Sequence, residues 1–223
     1  MILLLIVAAL QSSQSEPLRA PPIDQCGDDP TFVEYREKLA GAIALKDADA
    51  LRPLVDLNIK TSHGPDGDDG WPGFVRDWNL DRPADSELWL ELAEVLNLGC
   101  AMDDGHPAAP GNFSQLPDIG VILGQVGGAI EGLPPFFAVQ KDAALRSRPD
   151  DNAALVRLLD YHVLIEILDD KPGSVPEGWL HARLTNGQTG YVRLTAVRNV
   201  IDLRASFEKR DGNWVMTSFL GGD

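Results

Sequence analysis

The sequence is short of cysteine, histidine and basic side chains, and each shortage excludes a class of function. Two cysteines and four histidines, none at metal-ligand spacing, provide no metal cluster, and no phosphate loop or serine elbow is present. No metal or other cofactor is therefore expected. Lys and Arg number 19 against 34 Asp and Glu, a formal net charge of −15. Because no basic face is available to collect phosphates, nucleic acid is not an expected partner.

Long hydrophobic runs are also missing, apart from the segment MILLLIVAAL at residues 1–10. That run is too short to span a bilayer as a helix and is typical of the central part of a secretory signal. Small residues at 13–15 then suit a cleavage site. We therefore predict a signal peptide over residues 1–15, no membrane insertion of the mature chain, and a periplasmic or secreted bacterial protein.

Export determines how the two cysteines are interpreted. In an oxidising compartment Cys26 and Cys100 are most simply one disulfide, closing a loop of about 75 residues and stabilising the fold by roughly 4 kcal/mol. The alternative is that Cys26 is a nucleophile, because it precedes a predicted helix start where a thiolate would be favoured. No histidine lies near it in sequence to act as a base.

The charge divides the chain into two parts. Residues 16–134 carry 22 acidic and 8 basic side chains, whereas residues 135–223 carry 12 and 11. Over residues 24–115 the patterns are mainly helical, with a helix cap at Asp29 and an apolar stripe of Phe32, Leu39 and Ile43. Residues 57–62 alternate between apolar and polar side chains, which predicts a single β-strand. Pro and Gly from residue 100 onward predict a long loop. Residues 116–134 are expected to be a linker.

A loop with three aspartates, Asp66, Asp68 and Asp69, raises the question of a calcium site. The calcium-loop pattern requires an oxygen ligand and a glycine where Gly70 and Trp71 stand. We therefore interpret the segment as a solvated turn whose last aspartate caps the next helix.

Short strands separated by turns begin near residue 135. The segments ALRSRP, ALVRLL, HVLIEIL and GWLHARLTNGQTGYV, in that order over residues 135–200, resemble the bacterial SH3 domain family. The matching positions are Leu145, Arg146, Pro149, Val156, Leu159, Val163, Ile167, Trp179, Leu184, Gly187, Gly190, Tyr191 and Val192. The resemblance implies a small all-β SH3-like barrel. It also implies binding, since many members are exported modules that bind peptidoglycan or other peptides.

Four residues of this region are predicted to bind the ligand: Arg146, Arg148, Trp179 and Tyr191. The arginines would line a groove, and the two aromatic rings each combine an apolar face with a polar edge. The alternative is that both rings belong to the core. Gly187 is predicted to form a hairpin turn, and Gly190 to permit close approach of neighbouring strands.

The C-terminal residues 201–223 alternate as two strands joined at Asp211–Gly212, a predicted β-hairpin. We expect this hairpin to complete the N-terminal part, so that residues 24–115 and 200–223 form one domain. The predicted fold class is α+β: a mainly helical N-terminal domain completed by the hairpin, plus the small barrel. The order helix, helix, strand at the start of this domain and the closing motif of Phe207, Lys209, Asp211, Gly212 and Trp214 resemble the nuclear-transport-factor-like superfamily. The ending DGNW, followed by Phe219 and a final Gly-Asp, resembles a group of uncharacterised exported bacterial proteins.

The main functional hypothesis is a non-enzymatic exported binding or scaffolding protein that engages peptidoglycan or a protein or peptide partner. A second hypothesis is a cysteine-type cell-wall amidase or peptidase using Cys26, with His63 or His106 as base. A third is a small-ligand pocket in the N-terminal part. That pocket would be lined by Trp71, Phe74, Trp78 and Trp89, which are otherwise core residues.

Overall fold

The computed structural model describes residues 15–19, 21, 24–64, 69–103, 105–109, 136–168, 173–199 and 202–221. The predicted linker over residues 116–134 lies outside these residues, as does the predicted signal peptide apart from Ser15. Among the described residues, no helix combines the length and apolar character needed to cross a membrane.

Two β-sheets dominate the described residues, and the helices are few. The helices are α1 (Pro30–Leu45), α2 (Ala48–Leu51), α3 (Gly70–Asp77) and α4 (Leu88–Asn97). The strands are β1 (Val55–Lys60), β2 (Ala101–Asp103), β3 (His106–Ala109), β4 (Phe136–Ala138), β5 (Ala143–Arg146), β6 (Leu155–Leu159), β7 (Leu164–Ile167), β8 (Trp179–Leu184), β9 (Thr189–Arg193), β10 (Val197–Asn199), β11 (Arg204–Arg210) and β12 (Asn213–Leu220).

The predicted fold class is wrong. The protein is mostly β, with one sheet ordered β1-β12-β11-β3-β2 and a second ordered β10-β4-β7-β8-β9-β5-β6. It is not a mainly helical N-terminal domain with a small SH3-like barrel, because the N-terminal part supplies three strands to the first sheet. The second sheet also exceeds a small barrel, since β4 and β10 extend it along the edge of β7.

The error arises chiefly at the hairpin β2–β3, where Pro, Gly and Asp predicted a loop. Pro107 is tolerated there because β3 pairs with β11 only at Ala108 and Ala109, so the missing N–H removes no bond to β11. Gly105, with a φ of 86°, forms the turn. A short strand pair of this composition has no alternating pattern long enough to identify it.

The hydrophobic core of the first sheet forms around α1. The Asp29 carboxylate accepts hydrogen bonds from the N–H groups of Thr31 and Phe32, at 2.8 and 3.3 Å, and so caps the helix. Phe32 is fully buried, and its ring lies 5.3 Å from that of Phe207 and 5.0 Å from that of Trp214. The helix thus packs against the hairpin β11–β12, whose strand β12 also pairs in parallel with β1.

The two cysteines join the N-terminal segment to the end of α4. Cys26 and Cys100 form a disulfide with their Cα atoms 5.6 Å apart. The backbone supports the same junction, because the N–H of Gln25 donates to the carbonyl of Cys100 at 2.7 Å. A disulfide is the state expected in an oxidising compartment.

The segment of residues 15–19 lies against the second sheet. The N–H of Leu18 donates to Thr185 Oγ1 at 2.7 Å, and the carbonyl of Leu18 accepts from the N–H of Leu164 at 2.9 Å. Asn186 Nδ2 donates to the carbonyl of Ser15 at 2.8 Å. These bonds make residues 15–19 part of the folded structure.

Gly70 is expected to tolerate no side chain. Its φ is 58°, and a Cβ atom would lie 2.3 Å from the carbonyl oxygen of Leu57 on β1. Gly70→Ala should lower the free energy of unfolding by about 2 kcal/mol or more, since the left-handed backbone alone costs 1–2 kcal/mol. Gly41→Ala is the matched control, because a Cβ atom there meets nothing within 4 Å and alanine favours the helix. Urea unfolding showing equal stability for both variants would contradict this.

Removing the disulfide is expected to destabilise the protein strongly. The double variant Cys26→Ser, Cys100→Ser frees a loop with a sequence separation of 74 residues. In urea unfolding without reductant, the free energy of unfolding of the double variant should be roughly 4 kcal/mol lower than that of wild type. Dithiothreitol should bring the wild type to the level of the variant and leave the variant unchanged. If the reductant has no effect on the wild type, the disulfide does not carry this stability.

Candidate functional site

The predicted ligand-binding residues gather on one side of the second sheet. Along β8 the direction of the side chains alternates. Leu180, Ala182 and Leu184 pack into or against the hydrophobic core of that sheet. Trp179 and His181 therefore lie on the opposite side.

Cross-strand pairing extends this side across four strands. Tyr191 is the direct partner of His181 on β8 and of Arg146 on β5, and Arg193 is the partner of Trp179. Direct partners share one side of a sheet. We call this side the outer face, and it comprises Arg146, Leu155, Leu158, Trp179, His181, Tyr191 and Arg193.

Trp179 is buried beneath a cation rather than in the core. Its exposed fraction is 6%, yet it is not among the described residues that form the core of this sheet. The guanidinium carbon of Arg193 lies 4.2 Å from the centre of the ring, within cation–π distance. Asp151 holds Arg193 there, with 3.3 Å between Arg193 Nε and Asp151 Oδ1. The hydrogen bond from Arg193 keeps the pKa of the Asp151 carboxyl below its ordinary value.

Tyr191 and His181 form a stacked pair beside Trp179. Their ring centres are 4.6 Å apart and their planes differ by 14°. Both side chains are half-buried, so the pair presents one aromatic surface on the outer face. The neighbouring Gly190 allows β9 to approach β5, as predicted, since a Cβ atom would lie 2.7 Å from the carbonyl oxygen of Arg146.

The two predicted arginines occupy different settings. Arg146 is half-buried, and its Nη1 donates to the carbonyl of Ala153 at 2.9 Å. Arg148 is exposed in the loop between β5 and β6. Among the described residues, no side chain forms a hydrogen bond or ion pair with the Arg148 guanidinium. Arg148 can therefore bind a ligand without giving up a contact with a described side chain.

Sequence reasoning missed the apolar edge of the outer face and its covering cation. Leu155, paired with Arg146, and Leu158, paired with Ala144, are 51% and 50% exposed. The sequence pattern predicts both only as residues of a barrel strand. The two-residue alternation from Trp179 to His181 and from Tyr191 to Arg193 was the signal that could have identified His181 and Arg193.

The alternative sites are not assembled in the structure. Cys26 Sγ is bonded to Cys100 and is not a free thiolate in this state. Phe74 and Trp89 are buried in the core of the first sheet, and Trp71 and Trp78 pack against that core. These aromatic residues therefore fill space rather than line a pocket.

The aspartate loop is only partly described, because Asp66 and Asp68 lie outside the described residues. Asp69 precedes α3, but its side chain makes no capping bond and instead pairs with Arg76 at 2.9 Å. The prediction that this aspartate caps the helix is wrong. The charge of Arg76 satisfies the carboxylate in place of the helix N–H groups.

A cavity of about 660 Å³ lies between α4 and the turn before β7. His162 in this turn has a φ of 64°, and its Nδ1 is buried with no hydrogen-bond partner among the described residues. Burial lowers the pKa of His162; the charge of Arg19 adds to this and that of Asp160 opposes it.

Acidification is expected to destabilise the protein through His162. The unfolded imidazole has a pKa of about 6.5 and the folded one a lower pKa, so the unfolded chain binds the proton first. The free energy of unfolding should therefore fall as the pH drops below about 6.5. The variant His162→Asn carries a residue that tolerates positive φ but does not titrate. Its free energy of unfolding should therefore fall less steeply with pH than that of wild type. Urea unfolding at several pH values tests this, and identical pH dependences would contradict it.

Comparison with known proteins adds no assignment to this geometry: no family model matches the chain, and no curated protein is significantly similar to it. The likeness to bacterial SH3 domains thus remains a prediction from the sequence.

Proposed function

We propose that this is a non-enzymatic, exported binding protein whose outer face holds an extended peptide bearing a carboxylate. Such a peptide is found in the stems of peptidoglycan and in segments of partner proteins. The observation that carries the proposal is that Trp179 and Tyr191 lie on the outer face beside arginines instead of in the core.

The arginines supply the charge for a carboxylate. A guanidinium has five N–H donors, and Arg146 uses Nη1 on the Ala153 carbonyl, which leaves further donors on that group. Arg148 is exposed in the loop that follows β5, two residues after Arg146. A carboxylate is the anion that such planar donor pairs bind in bidentate fashion.

The apolar and aromatic side chains supply the contact area. Leu155 and Leu158 are half exposed at the edge strand β6, and the Tyr191–His181 stack lies two strands away. An extended peptide crossing these strands would place alternate side chains on this surface. Aromatic residues and arginine are the side chains that most often dominate binding energy.

Arg193 is suited to move when a ligand arrives. Its side chain is 44% exposed and that of its partner Asp151 is 64% exposed. An ion pair this exposed is worth about 0–1 kcal/mol, so a ligand carboxylate can take Arg193 from Asp151 at small cost. The movement would uncover the ring of Trp179 for an apolar side chain.

Retention on purified peptidoglycan sacculi and fluorescence anisotropy with a labelled stem pentapeptide test the proposal. Wild type is expected to bind, and Arg148→Ala to bind about tenfold more weakly, since a hydrogen bond to a charged group is lost. Arg82→Ala, which removes an exposed arginine from the turn after α3, is the matched control and should bind as wild type does.

The outcomes separate the sources of the peptide. Retention on sacculi identifies a wall peptide, whereas binding only to acidic protein-derived peptides identifies a protein partner. Absence of binding in all arms, or equal losses for Arg148→Ala and Arg82→Ala, would contradict the outer face as a binding site. Release of soluble fragments from sacculi, detected by chromatography, would contradict a non-enzymatic role.

A further inference from the structure

A groove of about 910 Å³ lies on the first sheet, between α1, β1 and the tip of the hairpin β11–β12. Its lining includes Tyr35, Asp56, Leu57, Arg210, Trp214 and Val215. None of these residues belongs to the outer face, so the groove is a separate surface.

Asp56 places an incompletely satisfied carboxylate in this groove. Its side chain is 7% exposed, and among the described residues it is the only acidic side chain that is buried. Oδ1 accepts the N–H of Asn58 at 2.7 Å, whereas Oδ2 is buried and accepts no well-directed hydrogen bond. A buried carboxylate oxygen without a hydrogen bond is costly and is a site for a donor.

Arg210 covers this oxygen without satisfying it. Its Nη1 lies 2.8 Å from Asp56 Oδ2, an ion pair that lacks hydrogen-bond geometry. The Arg210 side chain is 49% exposed and its Nη2 also contacts Glu208 at 3.1 Å. Because Asp56 is buried, leaving its carboxylate unpaired would be costly. Arg210 therefore leaves only when another cation takes its place, after which Glu208 is its remaining partner.

Apolar and aromatic walls flank the carboxylate. The indole N–H of Trp214 donates to Thr31 Oγ1 at 2.9 Å, which fixes the ring at the mouth of the groove. Leu57 is 63% exposed on β1, and Val215 is half-buried on β12. These surfaces suit an alkyl stem. The ring of Trp214 itself already has a cation over it, since Lys209 Nζ lies 5.6 Å from its centre.

We propose that this groove binds a primary ammonium carried on an alkyl stem, with Asp56 as its counter-ion in place of Arg210. Once Arg210 is displaced, Asp56 offers one oxygen, Oδ2, which matches a compact ammonium. A guanidinium prefers two oxygens, and Oδ1 already accepts the Asn58 N–H. With Arg210 displaced, three acidic side chains, Glu34, Asp56 and Asp211, face two basic ones, Lys38 in the lining and Lys209 beside Trp214. The groove then has a negative potential that favours a cation.

Titration of the full mature chain by ¹H–¹⁵N NMR tests the proposal. The probes are Nα-acetyl-lysine amide and pentane-1,5-diamine, and the matched uncharged probe is Nα-acetyl-norleucine amide. Both amines are expected to shift the Asn58, Asp211 and Trp214 signals saturably, and the norleucine probe should not. Tighter binding of the lysine probe indicates a peptide-borne side chain, and tighter binding of the diamine indicates a free amine.

Two variants are expected to change the affinity in opposite directions. Asp56→Asn keeps an oxygen for the Asn58 N–H but removes the charge, and should weaken binding about tenfold or more. Arg210→Ala removes the competing cation and should strengthen binding several-fold. Asp81→Asn, an exposed aspartate in the turn after α3, is the control and should bind as wild type does.

The proposal is overturned if neither amine gives saturable shifts, if Asp56→Asn binds as wild type does, or if Arg210→Ala binds more weakly. The Arg210→Ala result keeps the test decisive even where Asp56→Asn fails to fold. These outcomes are independent of peptide binding at the outer face, because the two surfaces share no residue.

Discussion

The pairing of β12 with both β1 and β11 is the constraint on which the first sheet depends. β12 is the last described strand, yet it lies inside the sheet, antiparallel to β11 and parallel to β1. Without it, β1 would have no partner among the described strands, and α1 would lose the ring of Trp214 against Phe32. The same pairing brings β1 and the tip of β11–β12 together, so the groove around Asp56 forms only when β1 has paired with the hairpin.

The two proposals rely on the same feature, an arginine that covers the group a ligand would contact. Arg193 covers the ring of Trp179, and Arg210 covers the Asp56 carboxylate. Each arginine is close to half exposed. Asp151 is exposed as well and holds Arg193 weakly, whereas Asp56 is buried and holds Arg210 until another cation replaces it. A ligand must displace it, and the apparent affinity is reduced by the fraction of time that the arginine is in place. Covering the site also keeps an aromatic ring and a carboxylate from unselective contacts.

How much the sequence could predict depended on whether the relevant physics was local. The cap at Asp29 and the period of Phe32, Leu39 and Ile43 lie within one helix, and both predictions are confirmed in α1. The turn at Gly187, with a φ of 86°, is equally local. The hairpin β2–β3 was missed because its strands of three and four residues are too short to show a pattern. β3, which contains Pro107, is stabilised by pairing with β11, and β2 by pairing with β3.

For the candidate sites the same distinction holds. The sequence pattern placed Arg146, Trp179 and Tyr191 on neighbouring strands. It could not show whether the rings lie in the core or on a surface, because an amphipathic ring suits both. For Trp179, the position of Arg193 over the ring is what distinguishes the two. Asp56 gave no signal, since its burial results from packing between β1 and a hairpin more than 150 residues later. Long-range packing of this kind is set by the whole fold.

The disulfide between Cys26 and Cys100 makes the balance between folded and unfolded chain responsive to the redox poise of the surroundings. A folded domain is favoured by only about 5–15 kcal/mol, so a single cross-link of this loop length is a large share of the total. Where thiols are kept reduced, the same sequence has a larger unfolded population and exposes more chain to proteases and to unfolded-chain binding factors. Oxidation then acts as a maturation step, after which the molecule persists.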